Sequence, residues 1–208
     1  MPSTVRDGRH ARPTRGELAR TQLILTAEEL FAEHGIDNVS LRQIASAAGY
    51  VNPATIQYHF GTKAALLEAI VEHRVPAIDR RRLELFAEVP DDLHGLAEVM
   101  ARPFLELDSS SHYAGFVSSL LASSDAWDIV SDAVMSREGD RRMRKAYVSH
   151  LPDVAPVLRG LRMRFATSLM LHAIADRRRA AGTGRRPRVS EAAFERELVA
   201  SMAGILEH

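Results

Sequence analysis

Asn52, Thr55 and Gln57 place two carboxamides and a hydroxyl within one short stretch of chain. Such groups both donate and accept hydrogen bonds, the chemistry needed to read base edges in the major groove of a duplex. Tyr58 and His59 follow directly, and both can donate to phosphate oxygens. Thr62 and Lys63 add a hydroxyl, free backbone N–H groups and a cation at the start of a further helix, a favourable phosphate site. Ser40, Arg42 and Gln43 supply a polar set one helix earlier. Phosphate contacts position a protein on nucleic acid, whereas amide contacts to bases specify sequence.

Other constellations are poorer. Asp108, Ser109, Ser110, Ser111 and His112 contain the residue types of a hydrolytic triad, but adjacency in sequence does not create triad geometry, and no G-x-S-x-G turn is present. His94 and Glu98 share a helix face, yet two potential ligands without an H-E-x-x-H pattern or a third partner do not make a metal centre. No Walker or dinucleotide-binding glycine pattern occurs. Neither an enzyme nor a cofactor is therefore expected. A DNA-architectural protein, which would discriminate little between sequences, is kept as an alternative.

The candidate readers need rigid elements behind them, and the pattern around them is helical. Leu23, Ile24, Ala27, Leu30 and Phe31 share one helix face, with Glu28, Glu29 and Glu33 away from it and Gly35 as a stop. Ser40 and Gln43 have capping-box spacing ahead of Leu41, Ile44, Ala45 and Ala48, and Gly49 closes that helix. Asn52-Pro53 reads as a cap and first-turn pair. Two short helices joined by a tight turn, with small Ala45 at the contact and Gly49 in the turn, describe a helix-turn-helix. Thr62 can cap the next helix, and Pro76 is expected to break it after Arg74.

The rest of the chain bounds the reading. Its 208 residues, 46% of them apolar, suffice for a core without staples, and there is no cysteine. The 27 basic and 27 acidic side chains balance, so a nucleic-acid surface has to be local. Residues 1–15, with Arg6, Arg9, Arg12 and Arg15 among Gly, Pro, Ser and Thr, read as a disordered basic arm. The run Arg80 to Arg82 reads as a solvated face. No signal-peptide or membrane-spanning segment stands out, so a soluble, cytoplasmic chain is expected, with no membrane partner. Helical spacing continues to the end, notably from Pro156 to Ala181, where apolar residues surround much of the girth, and from Ser190 onward after a loop marked by Gly182, Gly184 and Pro187.

At Ile24-Leu25-x-Ala27 through Leu30-Phe31-x-x-x-Gly35, at Ser40-Leu41-Arg42-x-Ile44-Ala45, at Ala48-Gly49 and at Tyr58-His59-Phe60-Gly61-x-Lys63-x-x-Leu66-Leu67, the chain resembles the TetR family of transcriptional regulators. It resembles a variant whose turn is one residue longer, through Tyr50, and whose reading helix ends Gln-Tyr-His-Phe; the longer turn adds Tyr50 and Pro53 to the candidate DNA contacts. The resemblance implies an all-α chain: a three-helix helix-turn-helix domain over residues 16–75, then an effector-binding and dimerisation domain over 76–208. It implies double-stranded operator DNA, a small-molecule effector and a second copy of the chain as partners, and repression released by that effector as the family default, with activation through the same DNA contacts as the alternative. Met100, Phe104, Phe116, Leu120, Trp127, Phe165 and His172 are the pocket candidates, each with core spacing as a competing explanation. Met163, Met170, Phe194, Leu198, Met202 and Ile205, on the last two helices, are the candidates for a four-helix interface between two copies.

Overall fold

Local signals start each N-terminal helix. Thr14 accepts from the Glu17 N–H while the Glu17 carboxylate accepts from the Thr14 N–H at 2.6 Å, and helix α1 (Arg15–His34) follows. The Ser40–Gln43 capping box opens α2 (Leu41–Ala47), with the Ser40 N–H donating to Gln43 Oε1 at 2.8 Å. The short α3 (Ala54–Phe60) begins where Asn52 Oδ1 accepts from the Ala54 N–H at 2.9 Å. Thr62 caps α4 (Lys63–Leu85) by accepting from the Ala65 N–H at 3.1 Å. These helices enclose Leu23, Ile24, Phe31, Ile44, Ile56 and Leu66, all buried. Burying side chains of this size is worth about 1.5–3 kcal/mol each.

The computed structural model describes residues 14–183 and 188–208, so Arg6, Arg9 and Arg12 of the expected basic arm, and loop residues Gly184 and Pro187, lie outside the described residues. Arg15 is the first residue of α1. Six more helices follow: α5 (Leu93–Leu105), α6 (Tyr113–Ala122), α7 (Ser124–Met135), α8 (Glu138–His150), α9 (Pro156–Gly182) and α10 (Glu191–Glu207). The chain is all-α, with no strand among the described residues. None of the described helices is long and apolar enough to cross a membrane. α10 lies against α9 and α5, α7 packs on α4, and α6 sits between α9 and α1.

Three expectations fail at particular residues. Pro76 does not end α4, which runs on to Leu85 as one helix of 23 residues, roughly 35 Å long. Proline removes an N–H and crowds the carbonyl four residues back. Here Pro76 and Glu72 both lie on the exposed side, where water can satisfy that carbonyl, while Val75 and Ile78 hold the helix to the core. Residue 75 therefore lies within a continuous helix. Glu28 does not face solvent: it is 1% exposed and binds residues from two other parts of the chain. Arg82 is not part of a solvated face either; its side chain is only 11% exposed and lies 3.4 Å from Asp140, with partial burial pushing its pKa down and Asp140 opposing.

Candidate nucleic-acid interface

The turn before α3 is built to present that helix. The Tyr50 N–H reaches the Ala45 carbonyl at 2.9 Å and the Gly49 N–H reaches Ser46 at 3.0 Å, a Schellman end to α2. Gly49 takes φ of +82°, which a side chain would disfavour, so the chain reverses here without strain. Beyond the turn, Ile56 and Phe60 go into the core and fix the rotation of α3 about its axis. That rotation leaves Asn52, Pro53, Gln57 and Tyr58 exposed, with Thr55 and His59 half-buried at the flanks. Tyr58 is 87% exposed and meets the His59 ring edge-on at 5.3 Å.

Residues distant in sequence brace this display. Gln22 on α1 donates from Nε2 to the Ala48 carbonyl at 3.0 Å, tying α1 to the end of α2. The Arg20 guanidinium sits 5.0 Å over the Phe60 ring. Neither is marked by sequence spacing, because both contacts join residues that only the fold brings together. Ser40, Arg42 and Gln43 are exposed at the start of α2, and Tyr50 is half-buried in the turn. Val51, which the sequence pattern gives no reason to single out, is 101% exposed beside Asn52.

Lys63 is placed differently from the other candidates. Its ammonium donates to the Ile36 carbonyl and lies 5.5 Å over the Phe31 ring. Burial lowers its pKa, and Asp37 pulls the other way. The cation therefore joins the start of α4 to the α1–α2 loop. Thr62 beside it remains exposed.

Residues 23–70 match the family described as bacterial regulatory proteins, tetR family. The matched stretch takes in α2, the turn and α3. The chain is 30% identical over 81 residues to the HTH-type transcriptional regulator UidR of Escherichia coli, covering 39% of this chain and 39% of that protein. It is 34% identical over 105 residues to an HTH-type transcriptional repressor of Mycobacterium tuberculosis, covering 47% of this chain and 53% of the relative. The chain thus spans only about two fifths to half the length of the curated relatives it matches. A TetR-family transcription regulator from Marinobacter aquaeolei has the same overall fold, with a TM-score of 0.60, 20% identity and coverage of 92% of this chain and 96% of that one.

Outside the helix-turn-helix, none of the pocket candidates lines either of two clefts between the described helices. Met100, Phe104, Phe116 and Leu120 are core, and Trp127 is half-buried. Phe165 is 54% exposed on α9, and His172, also exposed, meets Ser118 Oγ of α6 through Nε2 at 3.3 Å. A cleft of about 380 Å³ lies between α1, α6 and α9, lined in part by Glu29, Ala32, His112, Gly115 and Arg178. Another of about 430 Å³ lies beside Phe86, Val89, Leu96, Arg142 and Lys145. Of the residues expected to join two copies, Met170, Leu198 and Met202 are buried in the chain's own core, and Met163, Phe194 and Ile205 are half-buried. The outward apolar stripe is instead Leu158, Leu161 and Phe165, at helical spacing along α9.

The triad-like residues between α5 and α6 serve the turn. Asp108 accepts from the Ser110 N–H and hydroxyl at 2.8 and 2.6 Å, which lowers its pKa, and Ser111 Oγ donates to Glu28 at 3.2 Å. His94 and Glu98 approach no nearer than 3.9 Å, and no metal-binding group of side chains occurs among the described residues.

Proposed function

We propose that this chain is a dimeric, effector-responsive transcriptional regulator that represses by occupying a nearly palindromic operator. The observation that carries the reading is α3, whose two core anchors turn Asn52, Gln57 and Tyr58 outward behind a rigid turn. In this reading residues 16–75 read DNA, and residues 76–208 bind an effector and a second copy. Asn52, Thr55 and Gln57 contact base edges, with Tyr50 and Pro53 at the head of the helix; Ser40, Arg42, Gln43, Tyr58, His59 and Thr62 contact backbone. Lys63 positions α4 rather than binding phosphate, as its bond to Ile36 suggests. Two copies would set their reading helices roughly 34–36 Å apart, one turn of the duplex.

Repression fits the repressor among the relatives, and the apolar-rich helices beyond residue 76 favour a small apolar or amphipathic effector. Its route to the reader is the seam between α1 and α6. There the Gly115 position would bring a Cβ to 2.9 Å from Ala32 Cβ, and Ser119 Oγ donates to the Phe31 carbonyl at 2.9 Å. Phe31 also meets Phe116, with ring centroids 6.2 Å apart. An effector that prefers another setting of α6 would shift α1, and α2 and α3 with it.

The test is enrichment of binding sites from a random duplex library at physiological salt. Recovery of a palindrome supports the reading, and then Gln57→Ala and Thr55→Ala should alter base preference at fixed positions, by about 1–3 kcal/mol per contact. Failure to enrich any sequence would remove it.

A further inference from the structure

Val51 is the residue of the reading surface that the fold does not use. Its neighbours in the chain each have structural work: Tyr50 closes the end of α2 through its N–H, and Asn52 opens α3 through its side chain. Val51 is fully exposed, so its isopropyl group gains nothing from burial in the isolated chain. Single exposed apolar side chains are common and usually mean nothing. The setting of this one differs, because the Gly49–Tyr50 turn on one side and the Asn52 cap on the other hold it at the leading end of α3. Ala54, also exposed, begins that helix. Two aliphatic groups thus stand among the amides and hydroxyl of the surface proposed to enter the groove.

The major groove offers one apolar feature to match them. Every base edge there presents hydrogen-bond donors or acceptors, and only thymine adds a methyl group, at C5. We propose that Val51 is a specificity-determining residue that packs against the C5-methyl of a thymine in each half-site, so that the protein prefers thymine to cytosine there by apolar contact. The contact desolvates two small aliphatic groups and needs no hydrogen bond from the protein. Burying one methyl is worth about a fourfold change in affinity per half-site. This rests on the DNA-binding reading above.

The experiment uses the full chain and the duplex it enriches from the random library. Each thymine of that duplex is replaced in turn by deoxyuridine, which deletes the C5-methyl and leaves every hydrogen-bonding group in place. The wild type should lose about fourfold in affinity per substituted half-site at one particular thymine position. Val51→Ala, which should unfold at the same temperature as the wild type because the side chain touches nothing, should bind thymine and deoxyuridine duplexes alike at that position. It should still match the wild type's response at all other thymines. If the wild type ignores every deoxyuridine, if the enriched site lacks a shared thymine, or if Val51→Ala keeps the full discrimination, the proposal is overturned while DNA binding stands. If no duplex is enriched, the DNA-binding reading and this one fall together.

Discussion

Lys63 shows what a single side chain does when its type suggests one role and its surroundings another. A lysine at a helix start next to α3 looks like a phosphate ligand, but its ammonium is turned inward to the Ile36 carbonyl and the Phe31 ring. Lys63→Met keeps the stem and removes the charged donor, so reader stability should fall by about 1.5–3 kcal/mol, the range for a hydrogen bond to a charged group. Urea unfolding measures this. The salt dependence of DNA affinity should stay as it was; a slope reduced by about one unit with stability unchanged would make Lys63 a phosphate contact after all. The caps at Ser40, Asn52 and Thr62 were legible because each bonds within three residues of itself. Lys63 to Ile36 and Gln22 to Ala48 span 27 and 26 residues, and no local pattern encodes them.

Between elements, the decisive group is Glu28. Helical periodicity sorts α1 into an apolar face and a charged one, and that is correct for packing within the reader. It fails for Glu28 because α1 has a second neighbour, the turn into α6. The Glu28 carboxylate takes Arg74 Nε and Nη2 from α4 at 2.8 and 3.1 Å, and the Ser111 hydroxyl and His112 N–H at 3.2 and 2.9 Å. Arg178 of α9 holds the same turn from behind, donating to the carbonyls of Ser111 and Phe104. A buried carboxylate held from two sides costs most when it is deleted, since Arg74, half-buried, and the Ser111–His112 turn then lose their common acceptor. Glu28→Ala should destabilise the chain by about 3–5 kcal/mol, whereas Glu28→Gln, which keeps the shape and some of the bonds, should lose clearly less. Chemical denaturation of both variants checks the order. Equal, small losses would mean that the network is incidental. Pro76 teaches a related point: a local rule for ending helices yields where the affected carbonyl faces water and the flanking residues are buried.

For the molecule as a whole, the proposed dimer turns on which face of α9 the chain leaves free for a second copy. The sequence makes α9 apolar around most of its girth, which signals cover on two sides but cannot say which side the chain itself supplies. The structure divides them: Met170 on α9, with Leu198 and Met202 on α10, closes the chain's own core, while Leu158, Leu161 and Phe165 are left outward. On α10, Ala200, Ser201 and Gly204 are exposed, and small residues there would let another helix approach closely. Phe165→Glu therefore puts a charge into the proposed interface without touching the monomer's interior, and Met202→Glu puts one where the side chain is 0% exposed. Phe165→Glu should fold with normal stability yet sediment as a monomer. Its affinity for a palindromic duplex should drop by about a hundredfold or more, because the second half-site is no longer bound at high effective concentration. Its affinity for an isolated half-site should not change. Met202→Glu should instead unfold the chain and abolish both activities together. A Phe165→Glu protein that remains dimeric would move the interface to another face, and the spacing of the two reading helices would have to be derived again from there.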